Sequence, residues 1–211
     1  DANGWLTQYD SAGVYTGLDI YVASNTSNGL SALAWDGDSL WMVGSVKDAV
    51  FQYSLLPTPS MSWQYSGTSF STASQEISPT GTAWDGTYFW VVGHQNKTVY
   101  KYNSSGVYQG VSFSVAAKET YPHGIAWDGT YFWVVGASLH KYTAAGAFVS
   151  TYSLSAQDTS PTGITWDGTY LWVIGQQNDK VYKYNTSGTY QNVSFSVASQ
   201  DDFPKGVAWD G

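Results

Sequence analysis

The sequence predicts an all-β fold: a five-bladed β-propeller of four-stranded antiparallel blades whose termini share one blade. Three observations predict it. The triplet Trp-Asp-Gly recurs at Trp35, Trp84, Trp127, Trp166 and Trp209, spaced 39–49 residues apart. Each repeat carries four short runs of strand character, and four antiparallel strands in about 40–45 residues is the dimension of a propeller blade. The two ends of the chain also read as complementary parts of one repeat. A single domain over 1–211 follows, with units beginning near 30, 79, 122, 161 and 204.

The repeat extends well beyond the triplet. Residues 79–93 read PTGTAWDGTYFWVVG, 122–136 read PHGIAWDGTYFWVVG and 161–175 read PTGITWDGTYLWVIG, and 30–44 (LSALAWDGDSLWMVG) are a weaker copy. The first run, GIAW, meets a turn at Asp-Gly, a dipeptide that favours the positive φ of tight hairpins. The second run, YFWVV, joins β-branched and aromatic residues that suit a pleated surface. VYKY is the third. A turn at Asn103-Ser104-Ser105-Gly106 or Asn185-Thr186-Ser187-Gly188 leads to the fourth, VYQGVSFSV or TYQNVSFSV.

The start of the chain, DANGWLTQYDSAGVYTGLDI, aligns without a gap on residues 94–113. The chain thus opens on the third and fourth strands of a unit and ends at Trp209-Asp210-Gly211, the close of a first strand. The N-terminal strands (1–24) are expected to complete the last blade, which removes an exposed edge. One TYFWVVG-like second strand is then lacking, either because the chain is cut short or because another chain supplies it. A larger ring continuing past residue 211 is the alternative.

Alternation along YFWVV sends Tyr88, Trp90 and Val92 one way and Phe89 and Val91 the other. Trp41, Trp90, Trp133 and Trp172 are therefore assigned to the packing between blades, and the tryptophan of each Trp-Asp-Gly is taken as structural too. Asp36, Asp85, Asp128, Asp167 and Asp210 are read as turn residues. The pattern PxGIAWDGTYFWVVG followed by VYKYN-x-SG resembles the repeat of NHL-like propellers, including streptogramin-lyase-like and lactonase-like proteins. The count of five units is similar to that of tachylectin-type lectins, without their repeat motif. The resemblance implies the fold and leaves activity open.

Composition narrows function. The cations are 8 lysines with no arginine, against 16 Asp+Glu, a net charge of −8 that argues against nucleic-acid binding. With 0 Cys, disulfides, thiolate metal sites and cysteine nucleophiles are all excluded. No apolar run reaches the roughly 18 residues of a membrane span, and no signal peptide is recognisable. The resemblance implies a His-centred site with acidic metal ligands for lyase-like relatives and a Glu/Asn/Asp calcium set for lactonase-like ones. No residues match either set. His94, His123 and His140 occupy unrelated repeat positions, so the expectation is a non-enzymatic protein without metal or cofactor.

Two loop classes share one face of the expected ring. One, before each unit, offers Gln75-Glu76, Lys118-Glu119, Gln157-Asp158 and Gln200-Asp201; the other offers His94, Asn96, Gln177 and Asn178, with residues 1–4 equivalent. Amides and carboxylates suit sugar hydroxyls, and repetition around a ring favours avidity. The competing reading is that Glu or Asp ties a backbone turn. The expected function is a carbohydrate-binding, lectin-like module with glycans as partners. Its alternatives are an adhesive surface protein that self-assembles or accepts a strand from another chain, and a metal-dependent lyase or lactonase. Sequons at Asn25, Asn96, Asn103, Asn185 and Asn192 are glycosylation candidates, and with the scarcity of charge they suggest a secreted or cell-surface protein.

Overall fold

The computed structural model describes residues 5–22, 29–56 and 62–211. Strands β1 (Trp5–Tyr9) and β2 (Tyr15–Tyr21) form a two-stranded antiparallel sheet. Four blades follow, each an antiparallel meander of four strands. Blade one holds β3 (Leu30–Trp35), β4 (Ser39–Gly44), β5 (Ala49–Leu56) and β6 (Ser62–Ser71). Blade two holds β7 (Pro79–Trp84), β8 (Phe89–Gly93), β9 (Thr98–Tyr102) and β10 (Tyr108–Ser114). In blade three stand β11 (Gly124–Trp127), β12 (Tyr131–Val135), β13 (Ser138–Thr143) and β14 (Phe148–Ser153). Blade four is built from β15 (Pro161–Trp166), β16 (Leu171–Gly175), β17 (Lys180–Tyr184) and β18 (Tyr190–Ser196).

The second strands are buried on both faces, because each is sandwiched between two neighbouring blades. Trp90 and Val92 face forward and pack with Phe132 and Val134 of blade three. Trp133 and Val135 meet Leu171 and Val173 of blade four in the same way. Trp41, Trp90, Trp133 and Trp172 thus lie in the blade seams as the alternation predicts. First strands are innermost, and their glycines let backbones touch: a Cβ on Gly124 would lie 3.2 Å from the Cα of Gly163.

The Asp-Gly hairpins differ in detail from expectation. Trp84 pairs with Phe89, so the connection is a four-residue loop, not a two-residue turn. Asp85 organises it: Oδ1 accepts the backbone N–H of Thr87 (2.9 Å) and Tyr88 (2.8 Å). Gly86 carries the expected positive φ, 95°.

The blade count is corrected. The described residues make four complete blades, not five. Residues 204–211 form no strand, and among the described residues β1 pairs with β2. The approach of first strands nevertheless continues: a Cβ on Gly163 would lie 3.1 Å from the Cα of Gly206, and one on Gly206 would lie 3.1 Å from the Cα of Ala32.

Candidate functional site

The loop residues singled out in the sequence are drawn into internal hydrogen bonds, four separate times around the molecule. Glu76 is fully buried and accepts the backbone N–H of Ser78 (2.9 Å), Gln95 (3.3 Å) and Asn96 (3.0 Å). Buried Asp158 does the same for Ser160 (2.7 Å) and Asn178 (3.1 Å). Asn96 and Asn178 each donate Nδ2 to the carbonyl of Gln75 or Gln157, at 2.6 and 2.8 Å. The Gln75 and Gln157 side chains accept the hydroxyls of Tyr102 and Tyr184, both at 3.3 Å. Gln200 accepts the Tyr9 hydroxyl at 3.0 Å, Asp201 accepts Phe203 N–H at 2.8 Å, and Gln177 accepts the N–H and hydroxyl of Thr159. Lys118 covers the Phe148 ring at 4.3 Å, and His94 stands edge-on to Tyr121 at 4.5 Å. Gln75, Glu76 and Asn96 in blade two, and Gln157, Asp158, Gln177 and Asn178 in blade four, clamp one loop class to the other, whereas His94 contacts the loop of the next unit. They do not converge on one site.

Glu119 differs because His140 is beside it. The carboxylate can only accept, so Nε2 of His140 donates to it at 3.4 Å, and Nδ1 shares a hydrogen bond with the Thr151 hydroxyl at 2.9 Å. Burial pushes the Glu119 carboxyl up, but His140 and the N–H groups of Tyr121 and Ala137 outweigh it and hold the pKa at about 2. Both residues are buried, which fits a structural pair.

Of the sequon residues, Asn103 and Asn185 occupy turn tips, where Oδ1 accepts two backbone N–H groups in each case. Asn96 uses its amide nitrogen on Gln75, and Asn192 is exposed at positive φ, 57°. Asn25 lies outside the described residues, as do residues 1–4 of the loop face.

A converging set stands at the other end of the axis, where first strands end. Trp35, Trp84, Trp127, Trp166 and Trp209 line one opening of about 80 Å³ together with Thr82, Ile125 and Ile164. All five indoles are half-buried. None of their N–H groups donates to an acceptor among the described residues, and none is sealed from solvent. The Thr82 hydroxyl, on the same wall, is buried and without a partner. Thr87, Thr130 and Thr169 are exposed on the turns that follow Trp84, Trp127 and Trp166. Two of the indoles are held from behind: Trp84 packs on Phe89 (4.5 Å between centroids) and Trp127 on Phe132 (4.5 Å). The sequence reading missed this site because it treated the recurring triplet only as packing and turn. The signal was present in its recurrence at the inner end of every first strand.

No family model matches the chain, and no curated protein matches it in sequence. Among solved structures, it is similar to a streptogramin B lyase (14% identity, TM-score 0.57), covering 98% of this chain and 66% of the lyase. The chain thus spans just under two thirds of that protein's length. It is also similar to the glutaminyl cyclase of Myxococcus xanthus (14% identity, TM-score 0.63, 85% of this chain and 80% of that one). A nidogen/laminin complex gives 12% identity and a TM-score of 0.54, over 85% of this chain and 84% of that one. The resemblance to streptogramin-lyase-like propellers holds at the level of fold. The expectation of a non-enzymatic chain is overturned: it rested on missing motifs, and this fold is carried by a lyase and a cyclase at identities where motifs are not legible in sequence.

Proposed function

We propose that the protein is a carbohydrate-binding propeller that takes neutral glycans at the tryptophan rim. The observation that carries the reading is the ring of half-exposed indoles with unpartnered N–H groups. Indole faces cover the C–H surfaces of a sugar ring while their N–H groups donate to its oxygens. A net charge of −8 disfavours anionic ligands, leaving uncharged polyhydroxyl compounds as the fitting class. An opening of about 80 Å³ is too small to enclose a sugar, so the ring rests on the rim and one hydroxyl reaches down toward Thr82. The reading goes with a secreted or cell-surface location. Titrating neutral oligosaccharides against intrinsic tryptophan fluorescence tests it. Saturable quenching is expected, weakened about tenfold or more by Trp127→Ala and less by Trp127→Phe, which keeps a stacking face and loses the donor. A full glycan panel without quenching would overturn it.

A second reading, an enzyme working from the opposite end of the axis, is favoured by His123. This half-buried histidine sits at the start of a first strand, where other units carry Thr80, Thr162 and Lys205. Burial lowers its pKa; the charge of Glu119 opposes the shift, and His94 and Lys205 reinforce it. A neutral imidazole at pH 7 suits a general base. The test is a screen for lyase and acyl-transfer activity, in which His123→Ala must abolish any turnover found.

A further inference from the structure

Blade three departs from its siblings where the third and fourth strands face each other. Phe51 stands opposite Ser69 in blade one, Tyr100 opposite Ser112 in blade two, and Tyr182 opposite Ser194 in blade four. Blade three sets His140 opposite Thr151. The cause of the histidine lies in the preceding turn. In blade two that turn gives Glu76 the N–H groups of Gln95 and Asn96. The turn from β12 to β13 is shorter and gives Glu119 the N–H of Ala137, at 2.8 Å. His140 Nε2 replaces the lost donor, at 3.4 Å from the carboxylate.

Loop length accounts for one ring nitrogen and leaves the other over. In the neutral imidazole that keeps its proton on Nε2, Nδ1 carries a lone pair. It lies 2.9 Å from the Thr151 hydroxyl. Glu119 and His140 are each 3% exposed, whereas Thr151 is exposed on β14, the outermost strand of the blade. A carboxylate, a base and an exposed hydroxyl are thus linked in series, the order in which an activated nucleophile is built. The register shift at Val149 puts Phe148 on the same face as Thr151, with 41% of it exposed. Lys118 Nζ, 4.3 Å over the Phe148 ring, brings a cation to this apolar shelf.

We infer that Thr151, His140 and Glu119 form an acyl-transfer site, which hydrolyses carboxylic esters whose acyl group is small and apolar. Thr151 Oγ1 bonds to the ester carbonyl carbon as its proton passes to Nδ1 of His140. The bond from that carbon to the alcohol oxygen then breaks, and the alcohol leaves with the proton. Water repeats the sequence on the acyl-threonine: its proton goes to Nδ1, its oxygen bonds to the carbonyl carbon, and Thr151 departs with the proton returned. The products are the acid and the alcohol, with no further reactant consumed. Thr151 and His140 touch the reacting atoms. Glu119 is a positioning residue, which fixes the ring and stabilises the imidazolium. The site uses neither the tryptophan rim nor His123, so it stands or falls apart from both readings above.

The test is hydrolysis of p-nitrophenyl acetate by the 211-residue chain, with peptide mapping of the acid-quenched protein by mass spectrometry. Turnover above the buffer rate is expected, with acetyl carried on Thr151. Thr151→Val is expected to return the rate to that of buffer, whereas Thr151→Ser, the residue of the other blades, keeps turnover. His140→Gln is expected to lower kcat about a hundredfold. Glu119→Gln is expected to lower kcat at least about tenfold with KM unchanged, and Glu119→Asp, the residue of blade four, to recover part of that loss. The substitutions at exposed Thr151 keep the test valid if a variant at a buried position misfolds. No turnover above buffer overturns the inference. So does a rate unchanged in Thr151→Val, or acetyl found on Ser112, Ser194 or a lysine and not on Thr151.

Discussion

Two families of tryptophan occupy the same blades and live in opposite surroundings. Seam residues Trp41, Trp90, Trp133 and Trp172 are buried, and each donates its indole N–H to the Asp of its own turn at 2.6–2.7 Å. Rim residues Trp35, Trp84, Trp127, Trp166 and Trp209 are half-buried and donate to no protein acceptor among the described residues. One aspartate separates the two families in sequence. It closes the turn with Oδ1, satisfies the seam indole with Oδ2, and leaves the rim indole free. The polar handle is satisfied within the seam family and left open in the rim family, a difference that burial of the ring alone does not describe.

Truncation puts that division under the heaviest strain. Trp133 is 0% exposed, so Trp133→Ala is expected to cost about 3–5 kcal/mol through its cavity. Trp127→Ala, at the half-exposed rim, is expected to cost about 1–2 kcal/mol from lost contact with Phe132. Urea unfolding followed by far-UV circular dichroism measures both. Equal losses would erase the distinction between the families.

The shared aspartate gives the next largest effect. In blade three, Asp128 accepts Thr130 N–H at 2.8 Å, Tyr131 N–H at 2.7 Å and Trp133 Nε1 at 2.7 Å. Asp128→Ala leaves three donors without their acceptor and is expected to cost about 2–3 kcal/mol. Asp128→Asn keeps one oxygen and should lose less. If the rim tryptophan were the residue this carboxylate serves, glycan binding would fall more steeply than stability; stability is expected to fall first.

The blades were legible because four copies of one pattern report the same period and the same alternation. Site chemistry was less so. A Gln-Glu or Gln-Asp pair before a proline looks identical in sequence whether it faces solvent or turns inward to collect N–H groups. Glu76 and Asp158 turn inward, since the neighbouring loop leaves backbone donors that only a carboxylate nearby can satisfy. The glycine ending each second strand was the overlooked clue: a Cβ on Gly93, Gly136 or Gly175 would collide with the buried carboxyl of Glu76, Glu119 or Asp158. The repeat units were legible in the register, whereas the number of complete blades was not: the first strand expected at 204–211 does not form.

Titration sharpens the contrast between buried and free polar groups. Glu119 has a folded-state pKa of about 2 against an ordinary 4.5. A carboxyl depressed in this way stabilises fully above its unfolded pKa, and that contribution disappears as pH falls through the folded value. The stability gap between the native protein and Glu119→Gln is therefore expected to be widest above about pH 5 and to close toward pH 2. A gap that stays constant with pH would mean that the carboxylate is held by shape and not by charge.

The smallest effect tests the outer covering of the seam indoles. Lys141 Nζ lies 4.6 Å from the Trp133 ring and 4.0 Å from the Tyr131 ring, and Lys101 and Lys183 repeat the arrangement. Blade one places Gln52 at this position, where it bonds Ser39 at 2.9 Å and offers no cation. Lys141→Gln therefore converts one blade toward the chemistry of another without altering the fold. The lysine is partly exposed, so a cation–π loss of about 0.5–1 kcal/mol is expected, with the urea slope unchanged. Lys141→Met separates the two components of that loss, because it keeps most of the aliphatic cover and removes the charge. If Met restores the stability lost with Gln, the lysine acts by covering the ring; if Met and Gln lose alike, the cation itself holds the seam.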